Sequence, residues 1–337
     1  MTSGRGSTFW QCGRAASDRR FARYPRLPVT RCDGFEATTA KLPAVDGPVA
    51  VAWSGGWIAG KLGVTSAPPL EFSAVRFVIA TVTLAAIAIF TRTGIGSSGL
   101  VPIVLSAIFG YLGYNALVFV GLTMAPASDA ALIVPTTIPV LTAVAASFFG
   151  ERLSSTKIAG FVLASIGAAL VIAAGQNGGD LSGRRLLGDV LMLAGAVCWA
   201  IYTALGTITL RTRSPLAVVT IATPIGALLL LPFGFFEQSY RDLGSWNTGV
   251  WIDVLYLALV VTVGSFTLFY WVVRRVGAGI AAMSSYFVPI LTLAMAVVFL
   301  GDRPQPLQLV GGVVILAGVR VATLRMAEGP PLPEGAA

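Results

Sequence analysis

Two stretches of this chain repeat one another, so any fold it adopts must contain one unit twice. Residues 138–171, IPVLTAVAASFFGERLSSTKIAGFVLASIGAALV, are echoed by residues 288–321, VPILTLAMAVVFLGDRPQPLQLVGGVVILAGVRV. Gly150, Arg152, Gly160 and Gly167 fall on Gly301, Arg303, Gly311 and Gly318 at one constant offset. Pro139, Leu141 and Thr142 fall on Pro289, Leu291 and Thr292 at an offset one residue shorter. Earlier in each half, Trp53, Gly60, Pro69 and Leu70 match Trp199, Gly206, Pro215 and Leu216 at a third offset. The offsets drift only where a loop or a helix end absorbs a residue.

Both copies are apolar almost throughout. Hydrophobic residues make up 55% of the chain and charged residues 11%, where a soluble domain carries roughly a quarter charged residues. A bilayer is the solvent that suits such a chain, and each helical crossing needs ~20 mostly apolar residues. In lipid only helices and closed barrels satisfy the backbone. Barrel strands alternate apolar and polar residues over short segments, whereas these apolar runs are long and continuous. The expected fold is an all-α polytopic membrane protein.

Ten spans follow, at about 48–66, 70–91, 100–123, 126–149 and 157–175, then about 188–210, 215–236, 250–273, 278–300 and 307–325. They group into a first repeat, 48–175, and a second, 188–325. Basic residues in the short loops (Arg92, Arg152, Lys157, Arg211, Arg213, Arg274, Arg275, with Arg325 at the exit) place both termini in the cytoplasm. Five spans per repeat is an odd number, so the second copy enters the membrane upside down. Inverted repeats of this kind supply two packings open to opposite sides.

The flanks are polar. Residues 326–337 read as a disordered C-terminal tail. Residues 1–47 admit two readings, a disordered basic cytoplasmic tail or an artefact of start-site or frame assignment. The second is motivated by Asp46, Gly47 and Pro48, which stand where about two more apolar turns of the first span belong. Arg19–Arg20 is followed by no apolar region close enough to make a secretion signal.

Composition also removes chemistry. The chain has no histidine, the commonest metal ligand and the easiest proton relay. Cys12, Cys32 and Cys198 show neither disulfide nor metal spacing, and no glycine-rich phosphate loop is present. No catalytic residue, metal or cofactor is expected. The net charge of +8 owes much to residues 1–47, which hold eight of the 23 basic residues. Nucleic acid is therefore not an expected partner. The candidate partners are the lipid bilayer, a small-molecule solute, protons as coupling ion, and a second copy of the chain.

AWSGGWIAGKLGV and PPLEFSAVRF in spans 1–2, APASDAALIVPTTIPVLTAVAASFFGERLS in spans 3–4 and GFVLASIGAALV in span 5 follow a recognisable order. VCWAIYTALG and SSYFVPILTLAMAVVFLGDRPQPLQLVGGVVILAGV continue it in the second half. Over residues 48–325 the chain resembles the drug/metabolite transporter superfamily, specifically its ten-span members built from two EamA-type repeats. The resemblance implies export or exchange of small metabolites, such as amino acids, nucleobases or toxic compounds, across a bacterial inner membrane. Four-span relatives use a membrane glutamate in their first helix. No acidic residue lies within 49–66 here, so proton exchange by that route is not supported.

Several polar and aromatic residues inside the spans are candidates for solute binding. Trp53, Trp57 and Lys61 share one face of the first helix; the rings could enclose a solute and the ammonium meet an anion. The rival reading makes them interface anchors and a snorkelling lysine. Arg76, about two turns into span 2, needs a cavity, water or a partner, and Glu71 is the nearest acid in sequence. Tyr111, Tyr114 and Asn115 cluster in span 3, as cavity lining or as interhelical hydrogen-bonding groups. In span 4, Pro135 and Pro139 each free a backbone carbonyl, and Thr136 and Thr137 could satisfy it or face the solute. Pro289, after Ser285 and Tyr286, repeats the device in span 9. Interrupted helices at matching places are the favoured site, with kinking for packing as the rival. Trp199 and Tyr202 put aromatic rings in span 6, opposite Trp53.

The expected function is secondary transport of a small metabolite, outward, by rocking of the two repeats about a central cavity. One rival is a membrane-embedded enzyme on a lipid-linked substrate, which would need convergent acids, bases or a metal. The other is a non-transporting sensor or scaffold.

Overall fold

Helices account for the regular structure because the chain offers long apolar runs with few breakers, and prolines that interrupt a run sit mainly at helix starts. The computed structural model describes residues 46–96, 99–147, 155–177, 183–276, 278–281, 285, 287–301 and 303–323. The expected tails and Tyr286 lie outside the described residues.

The first repeat contains α1 (Asp46–Ser66), α2 (Pro69–Phe90), α3 (Leu100–Met124), α4 (Ala127–Ser147) and α5 (Ser155–Asn177). The second contains α6 (Gly183–Thr209), α7 (Pro215–Gln238), α8 (Thr248–Arg275), α9 (Phe287–Met295) and α10 (Pro306–Thr323). No strand occurs among the described residues. Helices α2, α3, α6, α7 and α8 are each long and apolar enough to cross a membrane. Their outward faces carry exposed Val82, Phe90, Leu228, Phe236 and Ile252, which only a lipid environment suits. The protein is an all-α polytopic membrane protein.

Asp46, Gly47 and Pro48 form the first turn of helix α1, where proline lacks no bond that the helix would otherwise make. The resulting 21 residues extend about 30 Å at 1.5 Å per residue, close to the thickness of a hydrocarbon core. The repeat-related prolines Pro69 and Pro215 act in the same way, opening α2 and α7 at the first helical positions. Ser214 completes the second start by accepting the amide of Ala217 at 3.2 Å.

Packing follows the duplication. Helix α1 lies against α8 and α9, and its counterpart α6 lies against α3 and α4. The counterparts α2 and α7 pack on each other, as do α5 and α10. In the second pair the glycines meet reciprocally. A methyl group built on Gly167 would lie 2.7 Å from the carbonyl of Gly311, and one on Gly318 would lie 2.7 Å from the carbonyl of Gly160. Early residues of each helix thus face late residues of the other, so α5 and α10 run antiparallel around a local two-fold. An antiparallel two-fold lies across the helices, as inverted repeats demand.

Two matching helices depart from α geometry. Helix α3 widens to a π-helical stretch over Ala107–Gly113, and α8 does so over Tyr256–Phe266. Such widening shifts the register of every side chain beyond it and clusters at functional sites.

Candidate functional site

A cavity lies where the two repeats face each other, with walls from α1, α2, α3, α4, α6, α8 and α9 (through Val288) and from Ser285 just before α9. The space open to the centre of a water-sized sphere is ≈ 60 Å³. At ~10–15 Å³ per water, that is room for several waters or a small organic solute.

Aromatic rings from four helices meet in the walls. Trp53 of α1 and Trp199 of α6 meet edge to face with ring centroids 5.5 Å apart, and Tyr114 of α3 lies 4.8 Å from Trp199. Phe266 of α8 closes on Trp199 at 5.2 Å. The π-helical stretch of α8 turns Leu257, Val261 and Phe266 toward the cavity together. Gly56 allows that approach, since a methyl built there would lie 3.1 Å from Val261 Cγ2.

Among the described residues, one charged side chain lines the cavity. Arg76 is 2% exposed and donates through Nη2 to Asn115 Oδ1. Asn115 is itself fixed, because its Nδ2 donates to the carbonyls of Gly110 at 3.0 Å and Tyr111 at 2.7 Å. Those acceptors belong to the π-helical stretch of α3. The irregular backbone therefore sets the amide, and the amide presents its oxygen to the guanidinium. Phe77 and Phe119 flank Arg76, with ring centroids 4.4 and 4.9 Å from Cζ, an arrangement in which aromatic faces partly replace lost water. Its Nε has no hydrogen-bond partner. Glu71, the acid nearest in sequence, is buried with neither carboxylate oxygen bonded, and no ion pair joins it to Arg76. The start of α2 is instead capped by Glu237, whose Oε2 accepts the amides of Leu70 at 2.8 Å and Glu71 at 3.0 Å.

Of the residues singled out in the sequence, the structure brings together Trp53, Trp57, Arg76, Tyr114, Asn115, Pro135, Trp199 and Ser285. Others sit behind these walls or away from them. Lys61 donates to the carbonyls of Leu122 at 2.7 Å and Ala125 at 2.9 Å, capping the end of α3. Tyr111 is buried behind the cavity, its hydroxyl accepting from Thr223 at 3.3 Å. Tyr202 stacks on Tyr270 at 5.0 Å. Thr136 and Thr137 donate to the carbonyls of Leu132 and Ile133 within their own helix, the second at 2.6 Å. Those are not the carbonyls that the prolines free.

The expected interruption of α4 is absent. The helix runs through Pro135 and Pro139 as one element, with the hydroxyl back-bonds of Thr136 and Thr137 in the turn around Pro135. Pro289 falls in the first turn of α9, where a missing donor costs little. The sequence did not single out Gly56, Val118, Phe119, Leu257, Val261 or Phe266. Nothing distinguishes one apolar residue from another in a chain that is apolar on every face.

A second polar cluster joins the repeats. Asp129 of α4, 1% exposed, accepts from Arg185 of α6 through Nε at 2.8 Å and Nη2 at 3.0 Å. Gln308 of α10 donates to the same carboxylate. One carboxylate thereby ties α4 to two helices of the other half.

Known proteins match both the fold and its duplication. The EamA-like transporter family matches twice, over residues 49–173 and 186–324. The "Uncharacterized transporter YyaM" of Bacillus subtilis (strain 168) is 30% identical over 76% of this chain and 84% of its own length. The "Probable amino-acid metabolite efflux pump" of Salmonella typhimurium (strain LT2) is 27% identical over 87% of this chain and 95% of its own. The "Probable terminal-alkyne amino-acid exporter" of Streptantibioticus cattleyicolor is 28% identical over 82% and 91%. A solved crystal structure at 24% identity superposes with a TM-score of 0.62 over 85% of this chain and 98% of that one. That likeness concerns the fold alone.

Proposed function

The chain belongs to the EamA-like transporter family and is a transporter rather than an enzyme, and from that premise we propose that it exports a small metabolite through the cavity between its repeats. Rocking of one repeat against the other exposes the cavity alternately to the two sides of the membrane. The observation that carries this reading is the placement of Trp53 and Trp199. Corresponding residues of the two halves form facing walls of one cavity, so a relative movement of the halves reshapes the site itself. The reading includes a bacterial inner membrane with both termini in the cytoplasm, which the loop charges favour. Two relatives carry names concerned with amino-acid efflux or export, which makes amino acids and their derivatives the first solutes to try.

The test is loss of preloaded, labelled amino acids and nucleobases from vesicles containing the purified protein, with and without a pH gradient. Selective loss is expected, and it should fall at least tenfold in Gly56→Phe, whose ring would occupy the cavity. Well-folded protein that releases no member of the pool faster than empty vesicles would overturn the reading. Dependence on the pH gradient would assign the coupling ion.

A further inference from the structure

The cavity's polar groups are unbalanced. Among the described residues, Arg76 is the one charged side chain that lines it, and the one side-chain partner it has there is a neutral amide oxygen. Three donors beside the cavity are buried and unbonded: Arg76 Nε, Trp53 Nε1 and Trp199 Nε1. Among the described residues no lining residue offers an unbonded buried acceptor, and the amide oxygen of Asn115 is already taken by Arg76. Buried donors left unpaired and a cation without a counter-charge are both costly. A solute that brings one negative charge supplies the counter-charge that Arg76 lacks among the described lining residues.

We propose that Arg76, held by Asn115, is the seat for the carboxylate of a small monocarboxylate solute whose apolar body packs among Trp53, Trp199 and Phe266. This rests on the transport reading above and names the solute class for the same cavity. A guanidinium presents its donors in a planar fork that matches a carboxylate. One cation balances one negative charge, which favours a carboxylate over a doubly charged phosphate. No acidic side chain lines the cavity among the described residues, so an ammonium group on the solute finds no ion pair with them. Recognition falls on the carboxylate, and an amino group is dispensable.

The experiment uses the fluorescence of the cavity tryptophans in purified full-length protein, titrated with 3-phenylpropionate, phenylalanine or phenethylamine. The two carboxylates should change the emission saturably, and phenethylamine, which has the same ring and no carboxylate, should bind at least tenfold more weakly. Arg76→Gln should abolish the carboxylate preference. The comparison of solutes on the wild-type protein guards against variants that merely misfold, because it needs no substitution. Asn115→Asp places a carboxylate on Arg76 from within but gives up the two bonds that the amide donates to the carbonyls of Gly110 and Tyr111; the folded variant should lose at least tenfold in affinity for 3-phenylpropionate. Equal binding of phenethylamine and 3-phenylpropionate, or unchanged carboxylate binding in a folded Asn115→Asp protein, would overturn the proposal. Binding and flux separate the two readings. Arg76-dependent binding without flux supports the carboxylate seat and contradicts the transport reading. Flux of solutes with no preference for a carboxylate supports transport and contradicts the seat.

Discussion

Trp53 and Trp199 occupy corresponding positions in the two halves of the sequence and touch edge to face across the centre of the fold, their ring centroids 5.5 Å apart. A residue can meet its own repeat-equivalent only close to the axis that relates the repeats. The pair therefore marks where the halves turn about one another, and it forms the wall of the cavity at that point.

An edge-to-face pair contributes about 0.5–1.5 kcal/mol beyond the area it buries. Trp53→Ala and Trp199→Ala, alone and together, should show a coupling of that order in the unfolding of detergent-solubilised protein. Additive effects within error would mean that the rings are neighbours without being partners.

The glycine contact between α5 and α10 leaves no room for a side chain. A Cβ on Gly167 would lie 2.6 Å from the backbone nitrogen of Ile315, and backbone cannot rotate out of the way. Gly167→Leu and Gly318→Leu should each destabilise the protein by about 1–3 kcal/mol through overpacking, read as a drop in the midpoint of thermal unfolding. Gly94, which has open space around it, should accept alanine with no such drop.

Asp129 is buried and accepts from two side chains of the other repeat. Removing one partner of a buried ion pair costs about 3–5 kcal/mol. Arg185→Ala should therefore lower the unfolding temperature by several degrees, because the carboxylate it leaves behind is 1% exposed, and Asp129→Ala by less, because the guanidinium it leaves behind is 17% exposed. Equal unfolding temperatures for Arg185→Ala and the wild type would show that the pair does not hold the repeats together.

Tyr240, in the loop after α7, donates its hydroxyl to the carbonyl of Leu231 at 2.8 Å. Burial, reinforced by the nearby Glu71 and Glu237 carboxylates, pushes its phenol up to about 12. The folded state therefore favours the neutral phenol, and the stability this contributes is present below the ordinary tyrosine value of about 10. It is lost as pH rises from there through about 12. Tyr240→Phe should cost about 1 kcal/mol at neutral pH, and the difference from wild type should shrink across that alkaline window. A constant difference would show that the hydroxyl's ionisation is not linked to folding.

Much of the architecture was legible because duplication and hydrophobicity are properties of the chain. Pro69 and Pro215 matched in sequence and open matching helices. Gly167 and Gly318 matched and make reciprocal contacts. The site was legible where a residue was out of place in lipid: Arg76, Asn115 and the tryptophans stand out against apolar surroundings, and they converge. Thr136 and Thr137 misled because a hydroxyl in a helix has a bond available within its own turn, and sequence does not say whether it takes it. Lys61 lies on the same helix face as Trp53 and Trp57, yet its long stem carries the ammonium to the end of α3. The π-helical stretches of α3 and α8 left no sequence signal, since widening depends on how neighbouring helices crowd a segment. Without them neither the amide of Asn115 nor the row from Leu257 to Phe266 would face the cavity.

The central claim is that one cavity between the repeats opens in turn to both sides, and thiol labelling of Val261→Cys tests it most directly. Val261 lines the cavity, and the variant would be made after replacing Cys12, Cys32 and Cys198. A membrane-impermeant reagent added to one face of the membrane at a time should label that cysteine from either face, and more slowly with 3-phenylpropionate present. Labelling from one face alone under every condition tried would contradict alternating access.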